Sequence, residues 1–150
     1  LGHAEQIPAG DFQLMSAGSG IRHSEYNPSQ TDPLSLLQIW IEPNEFGTPP
    51  GYQQKKIESR PGMTLVASPD GADGSLRIRQ QARVWRLELA PGETLEWALA
   101  GRHGYLQMIS GTLTANGLAA RPGDGVLSRD EYRWELVATS ASQALLFDLP

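Results

Sequence analysis

The sequence predicts an all-β chain, and three observations carry that reading. From about Met63 to the C-terminus, short segments of alternating apolar and polar residues recur, each bounded by Gly, Pro, Asn or Asp. Asn116-Gly117 falls between two such segments and is the strongest two-residue hairpin signal in the chain. Leu34 to Ile41 has the composition of a strand covered on both faces. Short strands at regular spacing build a sandwich or a barrel.

Taken in order, Ile7-Pro8-Ala9-Gly10-Asp11 reads as a tight turn between two strands. Pro8 presets φ, Gly10 accepts a left-handed conformation, and the Asp11 carboxylate can bond nearby backbone. Phe12 to Met15 has strand composition, and Gly18-Ser19-Gly20 breaks it. In Leu34 to Ile41, residues Leu37, Ile39 and Ile41 share one face, with Leu36, Gln38 and Trp40 on the other. Pro43 to Tyr52 is too rich in proline and glycine to continue that strand and reads as an irregular connection. Gln53 to Gly62, polar and carrying Lys55, Lys56 and Arg60, is expected to join two units, with little support for a helical turn.

Beyond it, Asp73-Gly74 suits a hairpin turn before Ser75 to Arg79. Val84 to Leu89 alternates with Trp85, Leu87 and Leu89 on one face. Pro91-Gly92-Glu93 then turns the chain into a second alternating strand through Leu95, Trp97 and Leu99. Tyr105 to Ile109 and Thr112 to Ala115 lead to the Asn116-Gly117 turn. Arg121-Pro122-Gly123-Asp124 repeats the pattern of Pro8 to Asp11, and Tyr132 to Ala138 and Gln143 to Leu149 close the unit. The four tryptophans, Trp40, Trp85, Trp97 and Trp134, sit on strand patterns and read as core.

Composition narrows the functional classes. A chain of 150 residues suits one domain, or two small ones sharing an interface. A net charge of −5 argues against a nucleic-acid surface of the usual basic kind. No apolar run approaches the roughly 20 residues that a membrane helix requires. The absence of cysteine excludes disulfides and thiolate metal sites, and makes the cytoplasm the expected compartment. No signal peptide is visible, and the chain starts at Leu1 with no Met, almost inside a strand-turn pattern, and so reads as cut at its N-terminus. No nucleophile motif, phosphate loop or zinc-finger spacing is present.

One local arrangement looks like a metal site. If Ile21 to Tyr26 is extended, His23 and Glu25 point to one face while Arg22 and Ser24 point to the other. Their Cβ atoms then lie roughly 7 Å apart, and an imidazole and a carboxylate can converge on one divalent ion across that gap. Three histidines and 17 acidic residues make a chance pairing at this spacing unremarkable, so spacing alone favours an ordinary hydrogen-bonded surface pair.

The surroundings change the weighting. The string from Pro8-Ala9-Gly10-Asp11 through Gly18-Ser19-Gly20-Ile21-Arg22 to His23-Ser24-Glu25 resembles the signature of the pirin family. Where it continues into Tyr26-Asn27-Pro28, it looks most like the bacterial quercetinase-type branch. The resemblance resumes at Leu37 to Ile41 and at Leu145 to Leu149, and so spans nearly the whole chain. It implies a bicupin, two jelly-roll barrels, with the metal in the first and none in the second. Residues 1–60 would be the C-terminal part of the first cupin plus a connection, and residues 61–150 a complete second cupin. Aligning Gly10-Asp11 on Gly123-Asp124 puts His23 on Leu136 and Glu25 on Ala138, so the second copy lacks the ligands. The first copy also lacks the upstream His-x-His pair that the family uses for its other two ligands. Strand edges left open by the incomplete barrel are expected to promote self-association.

The remaining histidines read as bystanders. His3 precedes a strand near the chain end, where a frayed surface residue is favoured. His103, in Ala100-Gly101-Arg102-His103-Gly104, reads as a satisfied histidine in a Gly-rich turn. Two functions stay open. The resemblance implies a metal-dependent dioxygenase acting on a flavonol such as quercetin, with ring opening and loss of carbon monoxide. Fe(II) suits an imidazole-carboxylate set, with Zn(II) or another first-row ion as alternatives. His23 and Glu25 would be half of the ligand set, and Glu25 would also take the flavonol hydroxyl proton. The alternative is a pirin-like iron-binding regulator that docks to a protein partner without turnover. On two ligands, this chain alone would bind metal weakly and have little activity.

Overall fold

The structure is a computed structural model that describes residues 5–100 and 103–150. His3 lies outside them. Twelve strands are present among the described residues, in three sheets. β1 (Asp11–Ser16) and β2 (Gly51–Lys56) form an antiparallel ribbon. A six-stranded sheet contains β3 (Gly62–Ser68), β4 (Leu76–Arg77), β5 (Arg83–Leu89), β7 (His103–Ser110), β10 (Gly125–Ser128) and β12 (Ser142–Leu149), in the order β10-β7-β12-β5-β3-β4. A four-stranded sheet contains β6 (Thr94–Ala98), β8 (Leu113–Ala115), β9 (Leu118–Ala120) and β11 (Arg133–Ala138), in the order β6-β11-β8-β9. None of the helices described is long and apolar enough to cross a membrane.

The two larger sheets close over one core, because alternation on each strand sends one set of side chains inward. Leu87, Leu106, Met108 and Leu146 from one sheet meet Leu113, Trp134 and Leu136 from the other, all essentially sealed from water. Trp85, Trp97 and Trp134 stack edge-to-face through it, with ring centroids 5.7 and 5.6 Å apart. That geometry sets the positive edge of one ring against the negative face of the next. Leu136 and Ala138, the positions that align with His23 and Glu25, are buried in this core.

The punctuation works as the sequence indicates. Asn116 and Gly117 take φ of 47° and 81°, the left-handed pair that a two-residue hairpin needs, and β8 pairs β9 across them. The Asn116 side-chain Oδ1 also accepts the Glu135 N–H at 2.7 Å, which ties the turn to β11. In the two Pro/Gly/Asp turns, Asp11 N–H donates to Pro8 O at 3.1 Å and Asp124 N–H to Arg121 O at 2.9 Å. Gly10 and Gly123 match at φ of 89° and 90°, so the two turns share one geometry.

Four local expectations change. Leu34 to Ile41 is not a strand: residues 17–50 join no ladder, and Trp40 is 87% exposed. An apolar two-faced pattern makes a strand only where neighbours supply hydrogen bonds on its edges, and among the described residues none does. Only Ile41 of this segment packs against a core cluster, and an open cleft of about 270 Å³ separates the rest from Tyr105, Phe147 and Leu149. The presumed connection after Gln53 holds most of β2, whose polar residues serve as strand residues because they bond across to other elements. Asp73-Gly74 does not form a hairpin, since β4 runs parallel to β3. Instead the loop closes around Ser68, whose hydroxyl binds Asp70 at 2.9 Å and Ser75 at 2.8 Å. That hydroxyl bond, followed by the Ala72 N–H, holds the Asp70 carboxyl below its usual range. His103, finally, opens β7 opposite Leu149, half-buried, and among the described residues its Nδ1 has no hydrogen-bond partner. It is a strand residue, not a turn residue.

Candidate metal centre

The β1-β2 ribbon has two faces, and alternation assigns them. Phe12 and Leu14 pack on the outer face of the six-stranded sheet, beside Val84, Leu145 and Phe147. The Arg86 guanidinium lies 5.7 Å from the centre of the Phe12 ring. Opposite them in register, Gln53 exchanges hydrogen bonds with the Arg77 backbone at 2.9 and 3.1 Å, and Lys55 Nζ donates to Gly74 O and Ser75 O at 2.9 and 2.7 Å. This face fastens the ribbon to the larger unit.

The other face carries Asp11, Gln13 and Met15 from β1, paired with Lys56, Gln54 and Tyr52 from β2. Tyr52 OH donates to Gln54 Oε1 at 2.8 Å, and Gln54 Nε2 donates to Asp11 Oδ2 at 3.3 Å. Burial, and then the Glu5 carboxylate beside it, raise the Tyr52 phenol above its ordinary range.

After β1 the chain reverses at Ala17–Gly20, where Gly20 N–H donates to Ala17 O at 2.8 Å and Ser19 N–H to Thr48 O at 3.1 Å. Gly18 sits there at φ 54°, and a Cβ on it would collide with the Thr48 carbonyl and approach Pro49 C to 2.8 Å. Gly18→Ala is therefore expected to destabilise the chain by about 1–3 kcal/mol through strain and backbone displacement. A thermal unfolding midpoint unchanged by this substitution would show that the reversal tolerates a side chain.

The reversal delivers residues 21–26 back towards the polar face. They join no ladder, and His23 and Glu25 are both exposed. The structure brings Glu25 to β1: Gln13 Nε2 donates to Glu25 Oε1 at 2.5 Å. His103 belongs to the six-stranded sheet and is not part of this arrangement. Among the described residues, no group of three or more His, Cys, Asp or Glu could hold a metal ion. The described residues therefore do not assemble a metal shell around His23 and Glu25, whose side chains offer one nitrogen and one oxygen of the kinds that divalent first-row ions take. Sequence reasoning passed over Gln13. The signal was there, since a polar residue between Phe12 and Leu14 must face away from what those two bury.

Two family models divide the chain. A model described as pirin matches residues 1–41, and one described as the quercetinase C-terminal cupin domain matches residues 65–149. This chain belongs to the pirin family. A quercetin 2,3-dioxygenase of Escherichia coli K12 is 46% identical over 151 residues, covering 100% of this pirin chain and 65% of the enzyme's length. A pirin-like protein of Caulobacter vibrioides is 40% identical over 99% of the chain and 66% of its own length. The crystal structure of the bacterial pirin YhhW from Escherichia coli in complex with nickel(II) superposes with a TM-score of 0.95 at 46% identity, covering 99% of this chain and 65% of that one. The pirin chain thus spans about 65% of the length of these E. coli relatives. Its fold is of cupin type: the paired six- and four-stranded sheets form a jelly roll over the residues that the cupin-domain model matches.

Proposed function

We propose that this pirin is a cupin dioxygenase of the quercetinase type, acting on a flavonol such as quercetin with a divalent metal held in part by His23 and Glu25. The observation that carries this is the 46% identity, over the whole chain, to an enzyme named quercetin 2,3-dioxygenase. The nickel(II) complex of a 46% identical pirin supports a divalent metal, and Fe(II) is our assignment from the donor types. We place the metal-binding unit in residues 1–60 and the second cupin, without ligands, in residues 61–150.

In this reading His23 binds through a neutral imidazole nitrogen. Glu25, with Oε1 engaged by Gln13, has Oε2 to bind the metal or accept the flavonol hydroxyl proton. The metal, when bound, supplies the redox and Lewis-acid chemistry that joins dioxygen to the substrate. The polar face of the ribbon, which carries Gln13, Gln54 and Tyr52, offers hydrogen-bonding groups to a polyhydroxylated aromatic.

Aerobic quercetin consumption by the complete gene product tests the proposal. Metal-dependent loss of quercetin with release of carbon monoxide is expected. Metal binding without turnover would instead favour a regulator that docks to a protein partner.

The apolar strip Leu34, Leu36, Leu37, Ile39 and Trp40 is exposed and borders open backbone. We infer that the 150-residue chain self-associates through it. Sedimentation at tens of micromolar is expected to show species larger than a monomer, a range set by weak association near the micromolar scale. A strict monomer there counts against the inference.

A further inference from the structure

We propose that Gln13 is a positioning residue for the Glu25 carboxylate, and that the second cupin fixes it there through β1. The inference rests on the reading of His23 and Glu25 as metal ligands. A carboxylate on a segment without ladder bonds has free χ angles, and its two oxygens are equivalent until something distinguishes them. Gln13 Nε2 distinguishes them by donating to Oε1 at 2.5 Å, leaving Oε2 without that bond. Donors to ligating carboxylates fix their orientation and their binding mode.

The neighbours of Gln13 explain why its amide is available. Gln54, directly opposite in register, uses its carbonyl on Tyr52 and its amide on Asp11. Gln13 is not drawn into that chain and can reach across to Glu25, 12 residues away in sequence.

Its backbone is also held. Phe12 and Leu14, its immediate neighbours, are packed against the six-stranded sheet, and the opposite strand is fastened by Gln53 and Lys55. Because successive side chains on a strand point to opposite faces, anchoring Phe12 and Leu14 sets the direction in which Gln13 projects. The metal-free cupin thereby serves as the template for a ligand of the metal-binding one.

The test uses the complete gene product and Ni(II) alone, with Co(II) as a spectroscopic probe. Gln13→Met keeps the length of the side chain and removes the donor. It is expected to weaken Ni(II) binding about 10–100-fold, the usual effect of losing an outer-shell partner, and to shift the visible Co(II) bands. The unfolding midpoint should stay within a degree or two of the wild type, since an exposed hydrogen bond contributes little. In a Glu25→Gln background, Gln13→Met should have no further effect on Ni(II) affinity. This comparison remains decisive even if the single variant loses stability.

Wild-type affinity and an unchanged Co(II) spectrum in Gln13→Met would overturn the positioning role, provided His23→Ala and Glu25→Gln do weaken binding. Equal losses from Gln13→Met in the wild-type and Glu25→Gln backgrounds would overturn it too, since the effect would not pass through Glu25. If His23→Ala and Glu25→Gln both leave Ni(II) binding intact, the metal-site reading fails, and the Gln13 proposal with it.

Discussion

His23→Ala in the complete gene product is expected to remove most of the bound divalent metal and nearly all quercetin consumption. The loss should exceed the roughly 10–100-fold that removal of an outer-shell partner costs, because a neutral nitrogen donor leaves the coordination sphere itself. His103→Ala should leave metal content and activity intact. Its ring lies on the six-stranded sheet at the β7-β12 register, away from the reversal that carries His23. Metal analysis after dialysis separates the alternatives. The 150-residue chain, with two donors in place of a full shell, is expected to release its metal. Retention of one equivalent of metal by that chain, abolished by His103→Ala, would show that the ligand assignment is wrong.

Trp134→Ala should produce the largest loss of stability in the second cupin, about 3–5 kcal/mol. The indole is 1% exposed, stacks edge-on with Trp97, and fills the space beside Gly104 and Leu99. Removing it leaves a cavity that two facing β-sheets cannot close, because their ladders hold the backbones apart. Denaturant unfolding measures the change. A cost near 1 kcal/mol would mean that the core collapses around the site. Since the first unit is fastened to this sheet through Phe12 and Leu14, the same variant should also loosen the polar face of the ribbon.

Most of the second cupin was legible in the sequence, because its signals are local. The alternation through Trp85, Leu87 and Leu89, the left-handed Asn116-Gly117 turn and the Pro-Gly-Asp turn each depend on a few adjacent residues. The His23-x-Glu25 pair was likewise visible as a motif, though only the family resemblance lifted it above coincidence. Leu34 to Ile41 shows the opposite case. Its composition is that of a buried strand, yet whether it pairs depends on neighbours that the pattern cannot name, and in this chain it stays open with Trp40 exposed. Gln53 and Lys55 misled for a related reason. They are polar because they reach backbone carbonyls and amides on another unit, a use that only long-range placement reveals.

The sequence by itself determined an all-β chain and most of its turns, since strand period and turn dihedrals are properties of neighbouring residues, and the family resemblance singled out His23 and Glu25 as candidates. The tertiary structure alone decided that the chain after the Ala17–Gly20 reversal brings Glu25 to Gln13. It also decided that β4 runs parallel to β3 and that His103 belongs to a strand. Those outcomes depend on how distant segments share hydrogen bonds and buried surface, and no local pattern encodes that choice.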